Sequence, residues 1–293
     1  MKKRMSLLMA LVMVVTLLAG CGGGGTGSSD DPEVRTVNLR NTASLTTSDP
    51  NMTTNTHDYT VHENIYEGLY DLNEATGGYE LRLAEKVEPN EDSTEYIVTL
   101  KQGVKFHNGE TMTADDVVFS YGLAQQSARM ASYIRTLDHV EKIDDNTVKI
   151  VMNQPFSPIG HMLHKIKVLS QKEVTEQGED FGKTANKAGT GPYMWDEDNY
   201  NPMTSWSAVA FEDYHRGKAQ IERITWHVIE DDTSAITALQ NGEIDYMIVP
   251  ISYWEDIKAS DKFTCVEKES NEVITFCINI CLLYTSPSPR DTE

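Results

Sequence analysis

Residues 96–123 read YIVTLKQGVKFHNGETMTADDVVFSYGL, and the rest of the chain is organised around this stretch. Tyr96, Val98 and Leu100 alternate with Ile97 and Thr99, the period of two that suits a strand. Lys101-Gln102-Gly103 supplies a turn, so Val104 to His107 is expected to return as the second strand of a hairpin. Asn108-Gly109 marks a further turn, because both residues tolerate positive φ. Thr113 then offers an N-cap, with Asp115 and Asp116 in the first turn, where the helix dipole favours anions. Ala114, Val117, Val118, Tyr121 and Ala124 form one apolar stripe at helical spacing. Phe119 and Leu123 fall on the opposite side, so both faces of this helix are expected to be covered.

On the upstream side, Val37 to Leu39 begins a strand, and a polar loop containing Ser48-Asp49-Pro50-Asn51 follows as far as Thr56. His62 to Leu69 is expected to be helical, with Ile65 and Leu69 on one face and Gly68 near its end. Downstream, Val140 to Met152 reads as a hairpin turning at Asp145-Asn146. Pro155 and Pro158 break the chain, and Gln171 to Gln177 is a short helix stopped by Gly178. Gly189 to Tyr193, GTGPY, is a rigid turn feeding the strands Ala208 to Phe211 and Ile224 to Ile229, which the polar loop Glu212 to Gln220 separates. Asp231 or Asp232 caps a helix carrying Ala235, Ile236 and Leu239, Asn241-Gly242 ends it, and Ile244 to Val249 is a strand again. That order is a βαβ unit and predicts a parallel pair in an α/β layer.

The ends of the chain differ from this body. Lys2, Lys3 and Arg4 precede an apolar run from Leu7 to Leu18, interrupted only by Thr16. Twelve helical residues reach about 18 Å, short of a ~30 Å hydrocarbon core, so residues 1–20 are expected to be a cleaved leader. Leu18-Ala19-Gly20-Cys21 resembles the bacterial lipoprotein box, which implies lipidation of Cys21 and stable anchoring once two or more chains are attached. Residues 21–34 are a Gly, Ser and Asp tether of roughly 20 Å root-mean-square reach. Without Lys2, Lys3 and Arg4 the 25 basic residues fall to 22 against 45 acidic ones, a net charge of −23. Such a surface argues against nucleic acid and anionic lipid as partners. Apart from Cys21 there are Cys265, Cys277 and Cys281; Cys265 and Cys277 flank a turn at Ser270-Asn271, and their pairing stays open. Residues 281–293, beginning CLLYTSPSPRD, follow neither period and read as a non-native tail.

Chemistry finds little local support. Gly182-Lys183-Thr184 lacks the glycine five positions before Gly182 that a phosphate loop needs, and Glu179 and Asp180 place negative charge where phosphate would sit. His161 and His164 have usable metal spacing, but Pro158 and Gly160 weaken the helix and no carboxylate or cysteine stands at the next turn. His57 and His62 are equally unsupported as ligands. No G-x-S-x-G elbow occurs. The pairs Asp115-Asp116, Asp144-Asp145 and Asp231-Asp232 are explained by capping and turns. No enzyme, cofactor or metal site is therefore expected.

Three passages, in order, carry a family resemblance. They are Asn64-Ile65-Tyr66-Glu67-Gly68-Leu69 with Leu83-Ala84-Glu85; Gly103 to Glu110 with Thr113 to Ser120; and Gly191-Pro192-Tyr193 through Ala238 to Asp245. Across roughly Thr36 to Asn279 the chain resembles the extracytoplasmic solute-binding proteins of ABC transporters, in the class serving oligopeptides, dipeptides and nickel. The resemblance implies an α/β, periplasmic-binding-protein-like clamshell that closes over solute and presents it to a membrane permease. It further implies a discontinuous first lobe, residues 35–59 and 166–270, with an inserted α+β domain at 60–165. Residues 271–280 would begin a second lobe that is missing, so these residues are expected to hold half a site and to bind no solute tightly. Peptide ligands would lie extended, their main chain pairing with strands.

Carried onto this sequence, the resemblance points to Asp49 and Pro50 near the ligand and to Tyr246, Met247, Ile248 and Val249 leading to the hinge. Tyr133 would be an inserted-domain tyrosine reaching the cleft, and Phe276 either faces the pocket or belongs to a strand core. The implied protein is a lipid-anchored monomer on the outer face of the cytoplasmic membrane, with a peptide and a permease as partners. A surface receptor or adhesin on the same scaffold, or a nickel or haem binder, are the alternatives.

Overall fold

The computed structural model describes residues 35–267 apart from residues 54 and 74. The chain divides into two compact units, Met1–Met247 and Ile248–Glu293. Within the first unit the sheets take their positions from which strand faces are apolar. In β1 (Thr36–Asn41), β8 (Tyr193–Asn201), β9 (Ser205–Ala210) and β10 (Arg223–Val228), alternate residues are apolar, and these strands form one sheet in the order β1-β10-β9-β8. Tyr193, Trp195, Trp206, Ala208, Ile224 and Trp226 turn to one side, where they pack with Leu45, Val61, Ile65 and Tyr66. The other side is polar: Ser207 bonds Thr225 at 2.9 Å and His227 bonds Asn38 at 3.1 Å. β1 runs parallel to β10, whereas the other pairs in this sheet are antiparallel.

The helix α1 (Thr56–Ile65) starts at Asn55, whose side chain accepts the N–H of His57, and buries Val61 and Ile65 in this core. The expected helix at His62–Leu69 is therefore displaced towards the N-terminus. The cap at Asn55 sets its start, and Tyr66 already has an extended backbone. Gly68 serves close approach instead, since a Cβ there would lie 2.5 Å from the Leu163 carbonyl oxygen.

A second core belongs to residues between Leu69 and Val168. Here β4 (Ala84–Pro89), β5 (Glu95–Leu100), β6 (Leu137–Asp144) and β7 (Thr147–Met152) form an antiparallel sheet in the order β4-β5-β7-β6. Tyr96, Val98 and Leu100 of β5, with Val148, Ile150 and Met152 of β7, meet α2 (Ala114–Gln126). The backbone N–H and hydroxyl of Thr113 donate to Asp116 at 2.9 and 3.0 Å, closing the start of α2. The turn of the β6–β7 hairpin docks on the same helix end, with Ala114 N–H donating to Asp145 O. The hairpin expected from Tyr96 to His107 does not form, because β5 pairs with β4 and β7. Val104 to Phe106 instead folds back on Glu110 to Met112 around Asn108-Gly109.

A small ribbon, β2 (Tyr70–Asn73) with β3 (Gly78–Leu81), and the short helices α3 (Ala131–Ile134) and α4 (Gly160–Lys165) complete this part. α5 (Gln171–Gln177) ends at Gly178, as expected. The two cores meet along polar contacts. Glu67, nearly buried, accepts from Thr190 at 3.0 Å and Tyr214 at 2.8 Å, and lies 2.9 Å from His215.

After β10, Asp231 caps α6 (Asp232–Asn241) through Ser234 N–H, and Gly242 closes it in the left-handed region at φ 76°. The expected strand Ile244–Val249 reduces to one parallel bridge, Leu39 with Tyr246. In the second unit, a 3-10 turn at Ile251–Tyr253 leads into α7 (Trp254–Lys258), where the Lys258 ammonium lies 5.4 Å from the Trp254 ring centroid. Cys265 is half-buried, whereas Cys21, Phe276, Cys277 and residues 281–293 lie outside the described residues.

Candidate functional site

In α/β sheets, ligands gather beyond the carboxyl ends of parallel strands, because crossovers leave a crevice there. β1 is flanked on both sides by parallel partners, β10 and the bridge at Tyr246. At its carboxyl end Asn41 is buried, bonding Ala43 O at 2.9 Å and accepting Ile229 N–H on its carbonyl. Exposed Thr42 meets the first turn of α1 through its hydroxyl, 3.0 Å from His57 Nδ1. The loop onward is held by Asp58, wholly buried, which accepts Thr46 N–H at 3.0 Å and the Thr53 hydroxyl at 2.8 Å. Arg40 braces the adjacent strand end, donating to Ile229 O at 2.9 Å and pairing with Asp232 at 2.6 Å.

The residues singled out from the sequence fall in different places. Tyr246 stands on this edge: its backbone bonds Arg40 and Asn38, and its side chain is 59% exposed. Met247 beside it is buried. In the second unit Ile248 is 79% exposed and Val249 half-buried. Asp49 is half-buried and Pro50 buried within the first unit. Asn51 N–H donates to Asp49 Oδ1 at 2.8 Å, and Asp49 N–H donates to the Thr47 hydroxyl. Burial pushes the Asp49 carboxyl up to about 6, against the Asn51 hydrogen bond. Ser48 in the same turn is clamped, its carbonyl taking the Tyr66 hydroxyl at 2.6 Å and its own hydroxyl meeting Thr184 O.

Tyr133, on α3, lies edge-on to His161 at 5.3 Å, and its phenol stands near that of Tyr59. Tyr59 donates to Thr53 O at 3.1 Å, which ties this phenol to the loop behind the strand edge. Sequence reasoning missed Thr42 and Tyr59, and it dismissed His57 as a ligand. The one local signal was Asn55 as a cap, which puts His57 and Tyr59 near the start of α1.

His164 has carboxylate neighbours that its own helix did not reveal. Asp71 lies 3.8 Å from Nδ1 and Glu63 3.8 Å from Nε2. The three groups lie within 4.8 Å of one another. Each carboxylate also has a cation already, Lys167 for Glu63 at 2.8 Å and Arg82 for Asp71. Burial, reinforced by Lys167, pushes the imidazole down to about 4, so it is neutral at pH 7. This group reads as an ion-pair network between the two cores and not as a chelate.

The strand edge thus offers hydroxyls, backbone groups, an imidazole and phenols, all arranged for contact. A mixed sheet with a second core between its strands and a polar carboxyl edge is an arrangement that suits ligand binding. Residues 78–281 match the profile of the bacterial extracellular solute-binding proteins, family 5 Middle, and the chain belongs to that family. It is 27% identical over 237 residues to the glutathione-binding protein GsiB of Pectobacterium atrosepticum, covering 78% of this chain and 45% of that protein. It is 25% identical to the oligopeptide-binding protein OppA of Bacillus subtilis, covering 86% and 50%.

Among solved structures, MoaA of A. tumefaciens R10 with mannopinic acid superposes at TM-score 0.70 and 26% identity, covering 77% of this chain and 47% of that one. The oligopeptide-binding protein AppA of B. subtilis with a nonapeptide gives TM-score 0.69 at 24% identity, covering 77% and 46%. The chain spans about half the length of the curated relatives it matches.

Proposed function

We propose that the protein is the solute-binding component of an ABC importer, anchored by lipid on Cys21, that captures extracellular peptides for a permease. The carboxyl edge around β1 carries this reading. Tyr246 and Thr42 are exposed beside strand ends whose geometry suits an extended ligand. The curated relatives support peptides as the solute class, since GsiB is named for glutathione and OppA for oligopeptides. On this reading residues 35–59 and 166–270 form one ligand-binding lobe and residues 60–165 an inserted domain, the whole working as a monomer.

The test uses the complete gene product, unfolded and refolded to strip endogenous solute, then dialysed against a random tripeptide library. Retention of a defined peptide subset, read by mass spectrometry, and loss of peptide uptake on gene deletion are expected. Failure to retain any peptide would overturn the solute class. The same protein should sediment with membranes, and the Cys21→Ala variant should not.

A further inference from the structure

Acidic residues outnumber basic ones 45 to 25 in this chain, so a half-buried cation without a carboxylate requires a reason. Lys165, the last residue of α4, is such a cation. Lys167, two residues on and 2% exposed, takes the Glu63 carboxylate at 2.8 Å. One glutamate therefore faces two lysines, and Lys167 has it. The Lys165 ammonium lies 4.3 Å from the centroid of the Tyr59 ring, and among the described residues no carboxylate pairs with it. An aromatic face gives a cation partial compensation only. Burial holds Lys165 below the ordinary lysine range, with Glu63 opposing and Lys167 reinforcing the effect.

The groups around Lys165 come from three separate elements. Tyr59 is on α1, and the Tyr133 phenol on α3 stands near its own. Exposed His161, on α4 with Lys165, is edge-on to Tyr133 and stacked with Tyr79 at 6.2 Å. An ammonium, two phenols and an imidazole together suit a carboxylate flanked by apolar surface. The geometry points to Lys165 as the anion-binding residue of the solute site, receiving the free carboxylate of a peptide with Tyr59 and Tyr133 beside it. This inference rests on the peptide-binding reading above. The competing role is packing alone, in which the Lys165 stem covers Tyr59 and ligand charge is irrelevant.

The two roles separate when the complete gene product is dialysed against a tripeptide library with free carboxyl termini and against the same library amidated. The wild type is expected to hold acid-terminated peptides at least tenfold more tightly. Lys165→Met should abolish that preference by weakening acid binding, leaving the amides unchanged. Lys165→Arg should keep the preference, and Lys165→Gln provides a second neutral variant if Met disturbs folding. Equal retention of acid and amide by the wild type overturns the inference alone. So does an undiminished preference in the neutral variants. Retention of neither library overturns the peptide reading, and this inference with it.

Discussion

Asp49 is a turn residue held in a place its charge disfavours. Its Oδ1 accepts Asn51 N–H at 2.8 Å, which shapes the turn, while burial pushes the carboxyl up to about 6. A raised carboxyl means that the folded state binds the proton more tightly than the unfolded chain. Its contribution is therefore most favourable below pH 3.8 and is lost as pH rises through 6. Asparagine keeps the accepting oxygen and removes the charge. Asp49→Asn is expected to raise stability at pH 7 by about 1 kcal/mol, after discounting for partial exposure, and by less at pH 4.5. Urea unfolding at the two pH values checks this, and a loss of stability at both would show that the turn needs the carboxylate itself.

Elements lock together where two backbones come close, and Gly189 is the tightest such place. A Cβ there would sit 2.2 Å from the carbonyl oxygen of Ile65, at the end of α1, and 2.9 Å from the His107 ring. Gly103 differs: its φ of 74° is left-handed, but nothing lies within 4 Å of its missing Cβ. Gly189→Ala is expected to cost about 3 kcal/mol by forcing helix and turn apart, and Gly103→Ala only about 1 kcal/mol. Comparable melting temperatures for the two variants would refute this. The same contrast explains what could be read in the sequence. The start of α2 was legible because Thr113 and Asp116 are three residues apart, and the β6–β7 turn because Asp145-Asn146 is local. Alternation marked β5 as a strand but carried no information about its partners, which proved to be β4 and β7. Gly68 was misleading because a glycine required by Leu163 looks the same as one that ends a helix. Of the residues discussed for the site, Tyr246 and Tyr133 were named from the family resemblance. Lys165 and Tyr59 were not, because α4 and α1 converge only after folding.

At the scale of the whole first unit, neutral imidazoles sit in the two cores and along the junction between them. His62 bonds Thr47 O at 3.0 Å, and His107 bonds Gly191 O at 3.0 Å. His164 lies between Asp71 and Glu63. Burial pushes each of the three down to about 4, from an ordinary 6.5. The unfolded chain therefore takes up three protons on these side chains as pH falls from 6.5 towards 4, and the folded chain does not. Stability is fully present above pH 6.5 and is lost across that window. Asp49 acts the other way, taking up a proton in the folded state from about 6 downwards. On these four groups alone, three protons against one leaves two, a slope on the order of 2–3 kcal/mol per pH unit between pH 6 and 4. Accumulated over that range, the loss is on the order of 5 kcal/mol, comparable with the whole stability of a typical domain. Thermal unfolding should therefore show a midpoint that is flat from pH 8 to 7, falls steeply below 6.5 and approaches room temperature near pH 4. The Asp49→Asn variant should fall more steeply still, because it removes the opposing proton. A midpoint that stays constant between pH 6.5 and 4 would mean that these imidazoles are solvated, and that the polar junction opens to water well below the cost of unfolding.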